Sequence, residues 1–375
     1  EGAVQDDERQ PFVPASLKDV GKFGRLGGQN TDGFAKVTAG GGLGDARIAS
    51  QAVHTGVIAE PAQHEDCLAE GAQGSRALRR ADLSSTGAQK PGQILDDTVD
   101  RWLPGVIDGN GNNGRNITLR QLLQNTSGLH DDLPGFDTPQ EYYRHRYDTY
   151  TPEQIVARSM KHHPDFPPGT GWSYSNTGYV LLGMIAEESA GRPWPEQAEN
   201  RILKPLGMNH TYLSGAASTL RRPHAHGYQV FAAGERTDVT EQIVPDLGGY
   251  VSTTADVNRF FQGLLGGELL SEARMAEMRD TVPVDKRLEA IWPGGGYGLG
   301  FVKRPLSCGG RYWSHQGGEA GFITLNGATD DGSRTVTVSM TTSFNDSDRT
   351  LRQQKDASDL VDRALCDTSG ERQGK

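Results

Sequence analysis

The segment Phe166-Pro-Pro-Gly-Thr-Gly-Trp-Ser-Tyr-Ser-Asn-Thr-Gly-Tyr-Val180 joins a loop to a predicted helix. Its proline- and glycine-rich first half ends in the tripeptide Tyr174-Ser175-Asn176. The apolar residues after it recur at helical spacing as far as Gly191, a residue suited to ending a helix. We therefore predict a helix over 177–190, with Tyr174 and Asn176 on the loop that leads into it.

Further patterns extend from this stretch in both directions. A short helix is predicted within 117–123, where Gly128 is suited to a left-handed conformation beyond the helix end. Thr253, with Asp256 three residues later, predicts the start of another helix. After it the period changes to that of strands, over 297–301, 311–315, 321–328 and 334–342, with Asp330-Asp-Gly-Ser333 as a hairpin turn and an apolar-patterned helix at the end of the chain.

These patterns predict an α/β protein in which an antiparallel β-sheet is flanked by helices and joined to a mostly α-helical second lobe. We expect one two-lobed catalytic domain over 1–375, with the α/β lobe over about 1–92 and 285–375 and the helical lobe over about 93–284. Residues 14–93 fit this scheme poorly, because they show no sustained strand or helix period.

Charge and hydropathy exclude several classes of partner. The formal net charge is -10, and no basic stripe is present, so we expect no nucleic-acid partner. No stretch approaches the ~18 consecutive apolar residues of a membrane-spanning helix. The chain as given begins at Glu1 without a signal peptide, as a processed product would.

A second polar segment whose side chains could take part in catalysis is Ser314-His315-Gln316-Gly317-Gly318. Acyl transfer through a serine needs a base that takes the nucleophile's proton and donors that stabilise the oxyanion. A tyrosine can do the proton work, and an adjacent asparagine can hold a substrate amide.

Residues 92–366 resemble the family of serine penicillin-recognising enzymes, which includes D-alanyl-D-alanine carboxypeptidases and class C β-lactamases, and the style is that of secreted actinomycete carboxypeptidases. The resemblance rests on Leu95-Asp-Asp-Thr-Val99, Leu103-Pro-Gly105, Ile117–Leu123 with Thr126-Ser-Gly-Leu129, Pro168–Asn176, Ile202-Leu-Lys-Pro-Leu-Gly-Met208, Gly248–Thr254, Tyr297-Gly-Leu-Gly-Phe301 and His315-Gln-Gly317. It implies a β-lactamase/transpeptidase-like fold.

The resemblance also implies roles for individual residues. Tyr174 would exchange protons with the nucleophile and the leaving group, and Asn176 would hydrogen-bond the acyl-amide side chain of the substrate. His315 would stand on the strand that lines the cleft, where many relatives have lysine. Gln316, Gly317 and Gly318 would bind substrate, since Gly317 lets its backbone lie close and the Gly318 amide joins the oxyanion hole.

The nucleophile is the incomplete part of this resemblance. Counting back from Leu103 leads to Ser75, the candidate nucleophile, but Leu78 occupies the place of the family's lysine. Arginines at 79 and 80 cannot act as the base because a guanidinium is not deprotonated in proteins. Two explanations stay open: the lysine's role is vacant, or a shifted reading frame before Leu95 has replaced the motif.

The cysteines are Cys67, Cys308 and Cys366. The residues alone leave two interpretations, incidental thiols or a Cys308–Cys366 disulfide that would place the protein outside the cytoplasm. The resemblance favours the disulfide. Two imidazoles at His224 and His226 lack a third ligand, so we predict no metal site.

The resemblance implies a secreted serine carboxypeptidase, a penicillin-binding protein that removes the terminal D-Ala from peptidoglycan stem peptides through an acyl-enzyme, and we expect it to be a monomer. Its ligands would be peptidoglycan peptides and β-lactams, and no cofactor is expected. The alternatives are a β-lactamase or esterase on the same fold, because one fold hosts several activities. A third alternative is a non-catalytic binder of β-lactams or muropeptides.

Overall fold

The computed structural model describes residues 93–244 and 249–367, together with the backbone of two short strands at 36–37 and 45–48. Ser75, Leu78 and Cys67 lie outside these ranges, as does most of the poorly fitting segment 14–93. Among the described residues, no helix combines the length and the apolarity that crossing a bilayer requires.

The described strands and helices alternate irregularly along the chain. The strands are β1 (Lys36–Val37), β2 (Asp45–Ile48), β3 (Asp108–Gly109), β4 (Asn112–Asn113), β5 (Tyr212–Leu213), β6 (Tyr228–Val230), β7 (Arg236–Asp238), β8 (Tyr250–Thr253), β9 (Val282–Pro283), β10 (Gly296–Tyr297), β11 (Val302–Pro305), β12 (Arg311–Ser314), β13 (Gly317–Glu319), β14 (Phe322–Thr329), β15 (Thr335–Met340) and β16 (Thr342–Phe344). The α-helices are α1 (Val99–Trp102), α2 (Leu119–Leu123), α3 (Pro139–His145), α4 (Pro152–Ser159), α5 (Asn176–Ala190), α6 (Trp194–Ala198), α7 (Thr254–Leu265), α8 (Glu272–Met278) and α9 (Ser347–Cys366).

The main sheet is antiparallel and confirms the predicted fold class. Its order is β1-β15-β14-β12-β11-β10-β9, and β13 also pairs with β14. Because strand side chains alternate between faces, Val336 and Val338 of β15 pack beneath Val361 of α9. Between them, Thr337 points the other way and donates to Asn258 of α7. The sheet therefore lies between α7 and α9.

The helical side of the molecule is organised around α5. Leu181, Leu182 and Ile185 are buried against Leu119 and Leu122 of α2 in the largest apolar cluster. The helix ends at Gly191, which has a φ of 63° and donates its amide to Glu187 O. The predicted helix and its stop are thus confirmed, except that Asn176 is its first residue rather than part of the loop.

Three other local predictions can be compared with the structure. Thr253 caps α7 by accepting from the Asp256 amide, as predicted. The predicted turn between the two longest strands is confirmed, with a φ of 69° at Gly332. The expected strand over 297–301 is wrong at 298–301, because Gly298 and Phe301 close a turn between β10 and β11.

The left-handed conformation predicted for Gly128 beyond α2 is confirmed, and Asn125, nearer the helix end, is left-handed as well, with a φ of 58°. Gly128 has a φ of 77°, and its carbonyl accepts from the Asp165 amide. A Cβ at this position would overlap the carbonyl oxygen of Phe166. Glycine is required here because two backbone segments touch.

The lobe boundaries stay a prediction, and the contacts of α7 bear on them. Helix α7 lies within the range assigned to the helical lobe, 93–284, but it packs on β14 and β15 of the main sheet. Its contacts therefore place it with the α/β lobe.

Cys308 and Cys366 form a disulfide with an S–S distance of 2.06 Å, as the resemblance implied. It links the turn between β11 and β12 to the last residue of α9.

Substituting Gly128 by alanine will test whether this close contact holds the fold. Gly105 is a matched control, because its φ is 72° and a Cβ there would meet nothing within 4 Å. We expect Gly105→Ala to cost about 1 kcal/mol of unfolding free energy from backbone strain alone. Gly128→Ala should cost about 3 kcal/mol, since one segment must also move. Urea unfolding measures both, and equal losses would contradict the contact.

Removing the disulfide should destabilise the fold without rearranging it. The bond closes a sequence separation of 58 residues, which corresponds to about 4 kcal/mol of unfolding free energy in the chain-entropy account. We expect urea unfolding of Cys308→Ser to show a loss of this order. Cys67→Ser is the control for removal of a thiol, and an unchanged midpoint in Cys308→Ser would refute the assignment.

Candidate active site

One wall of the candidate site is the segment 173–177, which a second loop holds in place. Asn125 accepts from the Ser173 amide with its carbonyl at 3.0 Å and from the Ser175 amide with Oδ1 at 3.1 Å. Asn125 has a left-handed φ, and both of its acceptors face the same loop segment, 173–175. Tyr174 is thereby presented between two anchored neighbours.

Asn176 is fixed by Asp131 of the same loop. One carboxylate oxygen of Asp131 accepts from the Asn176 amide at 2.8 Å and from the Thr177 amide at 3.3 Å. The other oxygen accepts from Asn176 Nδ2 at 2.8 Å. Ser175 caps the next free amide of α5, that of Gly178. The first amides of the helix, which have no partner within it, are therefore satisfied.

The opposite wall is an interrupted strand. β12 and β13 pair with β14 in one continuous register, from Tyr312 opposite Thr329 to Glu319 opposite Phe322. Only His315 and Gln316 leave the strand conformation. At this interruption the His315 amide donates to the side chain of Asn326, at 2.9 Å. The expectation that His315 lies on the strand is therefore corrected, since it occupies the gap between two halves of one.

The structure brings Tyr174 and His315 together. Their ring centroids are 6.5 Å apart with the planes inclined by 38°. The Tyr297 hydroxyl lies 3.4 Å from Nε2 of His315. Because Tyr174 starts from the helical side and His315 from the sheet, the candidate site lies where these two parts meet.

His315 differs from a lysine in its charge. Burial lowers its pKa to about 4, against a hydrogen bond with the Gln316 backbone that acts in the other direction. The imidazole is therefore neutral at pH 7 and supplies polarity without a positive charge. Burial is also the main cause that raises the pKa of Tyr297 well above its usual range, so this phenol stays protonated.

Aromatic rings form the base beneath His315. The Trp172 ring lies 5.3 Å from that of Tyr297 and 6.1 Å from that of Trp292, and all three side chains are buried. The Tyr297 ring in turn lies 6.4 Å from that of His315, so this cluster contributes to the burial that lowers the pKa of His315.

The residues predicted to bind substrate follow His315. The Gln316 side chain has a buried Oε1 that accepts no hydrogen bond from the described residues. Gly317 is buried and Gly318 is exposed. An added Cβ at Gly318 would meet nothing within 4 Å, so the space beside this backbone is open. Ser75, the candidate nucleophile, lies outside the described residues.

Sequence reasoning missed three residues that hold the site: Asn125, Asp131 and Asn326. Asn125 directly precedes the motif Thr126-Ser-Gly-Leu129, but the motif itself gives it no role. Asp131 lies in the run His130-Asp131-Asp132, where a buried carboxylate close to a motif loop could have drawn attention. Among the described residues, no group of three or more His, Cys, Asp or Glu side chains could hold a metal ion.

Comparison with known proteins identifies the family of this chain. A family described as Beta-lactamase matches residues 90–360. The chain belongs to this family of serine penicillin-recognising proteins.

Individual relatives cover different shares of the chain. It is 29% identical to penicillin-binding protein 4* of Bacillus subtilis over 61% of this chain and 51% of that protein. It is 30% identical to penicillin-binding protein 4 of Amycolatopsis lactamdurans over 50% of each. The chain thus spans about half the length of the curated relatives it matches.

Solved structures cover more of the chain. The D-stereospecific amidohydrolase of a Streptomyces species has a TM-score of 0.68 and 34% identity, over 84% of this chain and 87% of that one. The D-amino acid amidase of Ochrobactrum anthropi SV3, complexed with L-phenylalanine amide, has a TM-score of 0.64 and 25% identity, over 86% and 84%.

The buried neutral His315 should make stability depend on pH. Its folded pKa of about 4 lies below the ordinary 6.5, so the unfolded chain takes up a proton that the folded chain refuses. Stability should therefore fall by about 3 kcal/mol as the pH falls from about 6.5 to about 4. His315→Gln should flatten the unfolding free energy over this range. Parallel curves for the two proteins would contradict the assignment.

Proposed function

We propose that this protein is a serine D-alanyl-D-alanine carboxypeptidase that removes the terminal D-Ala from peptidoglycan stem peptides through an acyl-enzyme and is acylated by penicillins. The observation that carries this proposal is the meeting of Tyr174 with His315, 6.5 Å apart between ring centroids, in a chain of the beta-lactamase family.

The proposed chemistry assigns one task to each residue. Tyr174 takes the proton of the nucleophilic serine and later returns it to the leaving amine. Asn176 holds the amide of the substrate's acyl part. The Gly318 amide contributes to the oxyanion hole, where a donor acts most strongly if it is already in place. Ser75 remains the candidate nucleophile.

The substrate is proposed to lie along β13. Among the described strands, β13 hydrogen-bonds to β14 alone, and the open space at Gly318 leaves room for an extended peptide beside it. Pairing of a peptide with a strand edge supplies main-chain hydrogen bonds, and side-chain pockets add selectivity. Gln316, with an unsatisfied buried Oε1, is proposed to receive a donor of the substrate.

A second candidate function is hydrolysis of D-amino acid amides. Two observations favour it: the solved structures similar to this chain include a D-stereospecific amidohydrolase and a D-amino acid amidase, and His315 is neutral at pH 7. A neutral group at this place gives less attraction to a terminal carboxylate than a lysine would. A β-lactamase, an esterase and a non-catalytic binder of β-lactams or muropeptides remain the alternatives.

The protein is proposed to act outside the cytoplasm, as a monomer with an α/β lobe and a helical lobe. The disulfide between Cys308 and Cys366 supports an oxidising compartment.

Incubation with penicillin followed by mass spectrometry tests the function. We expect a stable adduct on one serine-containing peptide, and peptide mapping of 36–93 will show whether that serine is Ser75. Reversible binding without an adduct would support the non-catalytic binder instead. Relative rates on a D-Ala-D-Ala peptide, a D-amino acid amide, a cephalosporin and a p-nitrophenyl ester then rank the enzymatic candidates.

Removing the Tyr174 hydroxyl tests the proton transfer. We expect Tyr174→Phe to lower the second-order rate constant of acylation by roughly 10²- to 10⁴-fold, the usual contribution of a positioned acid or base. Tyr143→Phe removes a hydroxyl from a side chain that is 57% exposed and should change nothing. Equal acylation rates in the Tyr174 variant and the unmodified protein would rule out this role.

A further inference from the structure

Asp131 belongs to none of the sequence motifs, yet its carboxylate accepts three hydrogen bonds from Asn176 and Thr177 of the candidate site. It is 5% exposed and lies 45 residues before Asn176 in the chain, to which it bonds twice, through the backbone amide and through Nδ2. It also accepts from the Thr177 amide at 3.3 Å. A carboxylate at the start of α5 is favoured by the partial positive charge of the helix end.

The neighbours of Asp131 hold its backbone from both sides. His130 pairs with Asp165 at 2.7 Å, and Asp132 pairs with Arg158 at 2.6 Å. The Asp131 carboxylate is therefore positioned by residues that do not belong to the site. One of its oxygens is fixed by two backbone amides, and the position of the other oxygen follows from that.

This second oxygen determines which way the Asn176 amide is turned. With Nδ2 toward Asp131, a donor meets a charged acceptor at 2.8 Å, which is a strong hydrogen bond. The inverted amide would place the carbonyl oxygen Oδ1 against the carboxylate oxygen, two acceptors without a proton between them. The inverted form is therefore disfavoured.

We infer that Asp131 is a positioning residue that locks the Asn176 side-chain amide in one orientation, so that Asn176 offers the substrate its Oδ1 acceptor and its remaining N–H donor. This pair matches a secondary amide, which presents one donor and one acceptor. The inference rests on the proposed function, because Asn176 is taken there to hold the substrate's acyl amide.

Asp131→Asn replaces the acceptor that faces Asn176 Nδ2 with a donor and should keep the local fold. The Oδ1 of the new side chain can still accept from the two backbone amides, but its Nδ2 now faces Asn176 and favours the inverted amide. We expect the second-order rate constant of penicillin acylation to fall roughly tenfold to a hundredfold, the usual effect of a mismatched buried hydrogen bond. An unchanged rate constant would overturn the inference.

A double-mutant cycle separates positioning from simple destabilisation. If Asp131 acts through Asn176, then Asp131→Asn should lower the rate less than about twofold in an Asn176→Ala background. The same fold-loss in both backgrounds would overturn the inference. Asp256→Asn is the matched control, since Asp256 is 1% exposed and accepts from the His210 amide and the Thr211 hydroxyl at 2.9 Å each. It should lower the unfolding midpoint and leave acylation within about twofold.

A measurement on the unmodified protein tests the orientation of the Asn176 amide independently. It applies even if the variants do not fold or if penicillin does not acylate the protein. In the NMR spectrum, one Nδ2 proton of Asn176 should be shifted downfield and protected from exchange, in contrast to the protons of the exposed Asn200. Equal, fast exchange of both Asn176 protons would overturn the orientation whatever the enzyme's activity. Absence of an acyl adduct together with a protected proton would remove the proposed function alone.

Discussion

The site depends on the contact between two segments, 125–131 and 165–177, that are distant in sequence. Backbone amides of the later segment donate to the earlier one in a row: Asp165 to Gly128 O, Gly169 to Thr126 O, Ser173 to Asn125 O and Ser175 to Asn125 Oδ1. Asp131 continues this row into α5. Because Gly128 has no Cβ, the backbones can touch. This row holds the helical side of the site, and contacts of Asn125 and Trp172 with Tyr297 of β10 link it to the sheet.

The sheet supplies the other half of the site by a different device. An uninterrupted β12–β13 strand would point alternate side chains up and down, as strands do. His315 and Gln316 leave the strand conformation, and at this point the Asn326 side chain accepts from the His315 backbone amide. The register on either side is unchanged, so the break costs no rearrangement of the sheet. Burial over the aromatic base then makes the imidazole neutral.

The sequence was sufficient where structure follows from nearby residues. The apolar spacing of α5, its end at Gly191 and the cap at Thr253 are local features, and they were predicted. The residues that hold the site were not, because their partners are far away: Asn125 bonds a residue 50 positions later and Asp131 one 45 positions later. The break at His315 was missed for a similar reason, since Asn326 sits on a neighbouring strand. The family resemblance supplied the pairing of Tyr174 with His315, which no local pattern contains.

The hydrogen bond between the Asp165 amide and the Gly128 carbonyl, 2.8 Å long, also closes a loop. The chain between 132 and 164 leaves and returns at nearly the same point, carrying α3 and α4 with it. Tyr143 and Tyr147 are its exposed aromatic residues. A segment closed by a hydrogen bond at its two ends can change in length and composition while that bond is kept, since the free energy of loop closure depends only weakly on length. Within this segment Arg158 of α4 pairs with Asp132 beside the site, so it is the exposed surface around Tyr143 and Tyr147, and not α4, that offers a position for variation among relatives and for grafting a new surface beside an unaltered candidate site.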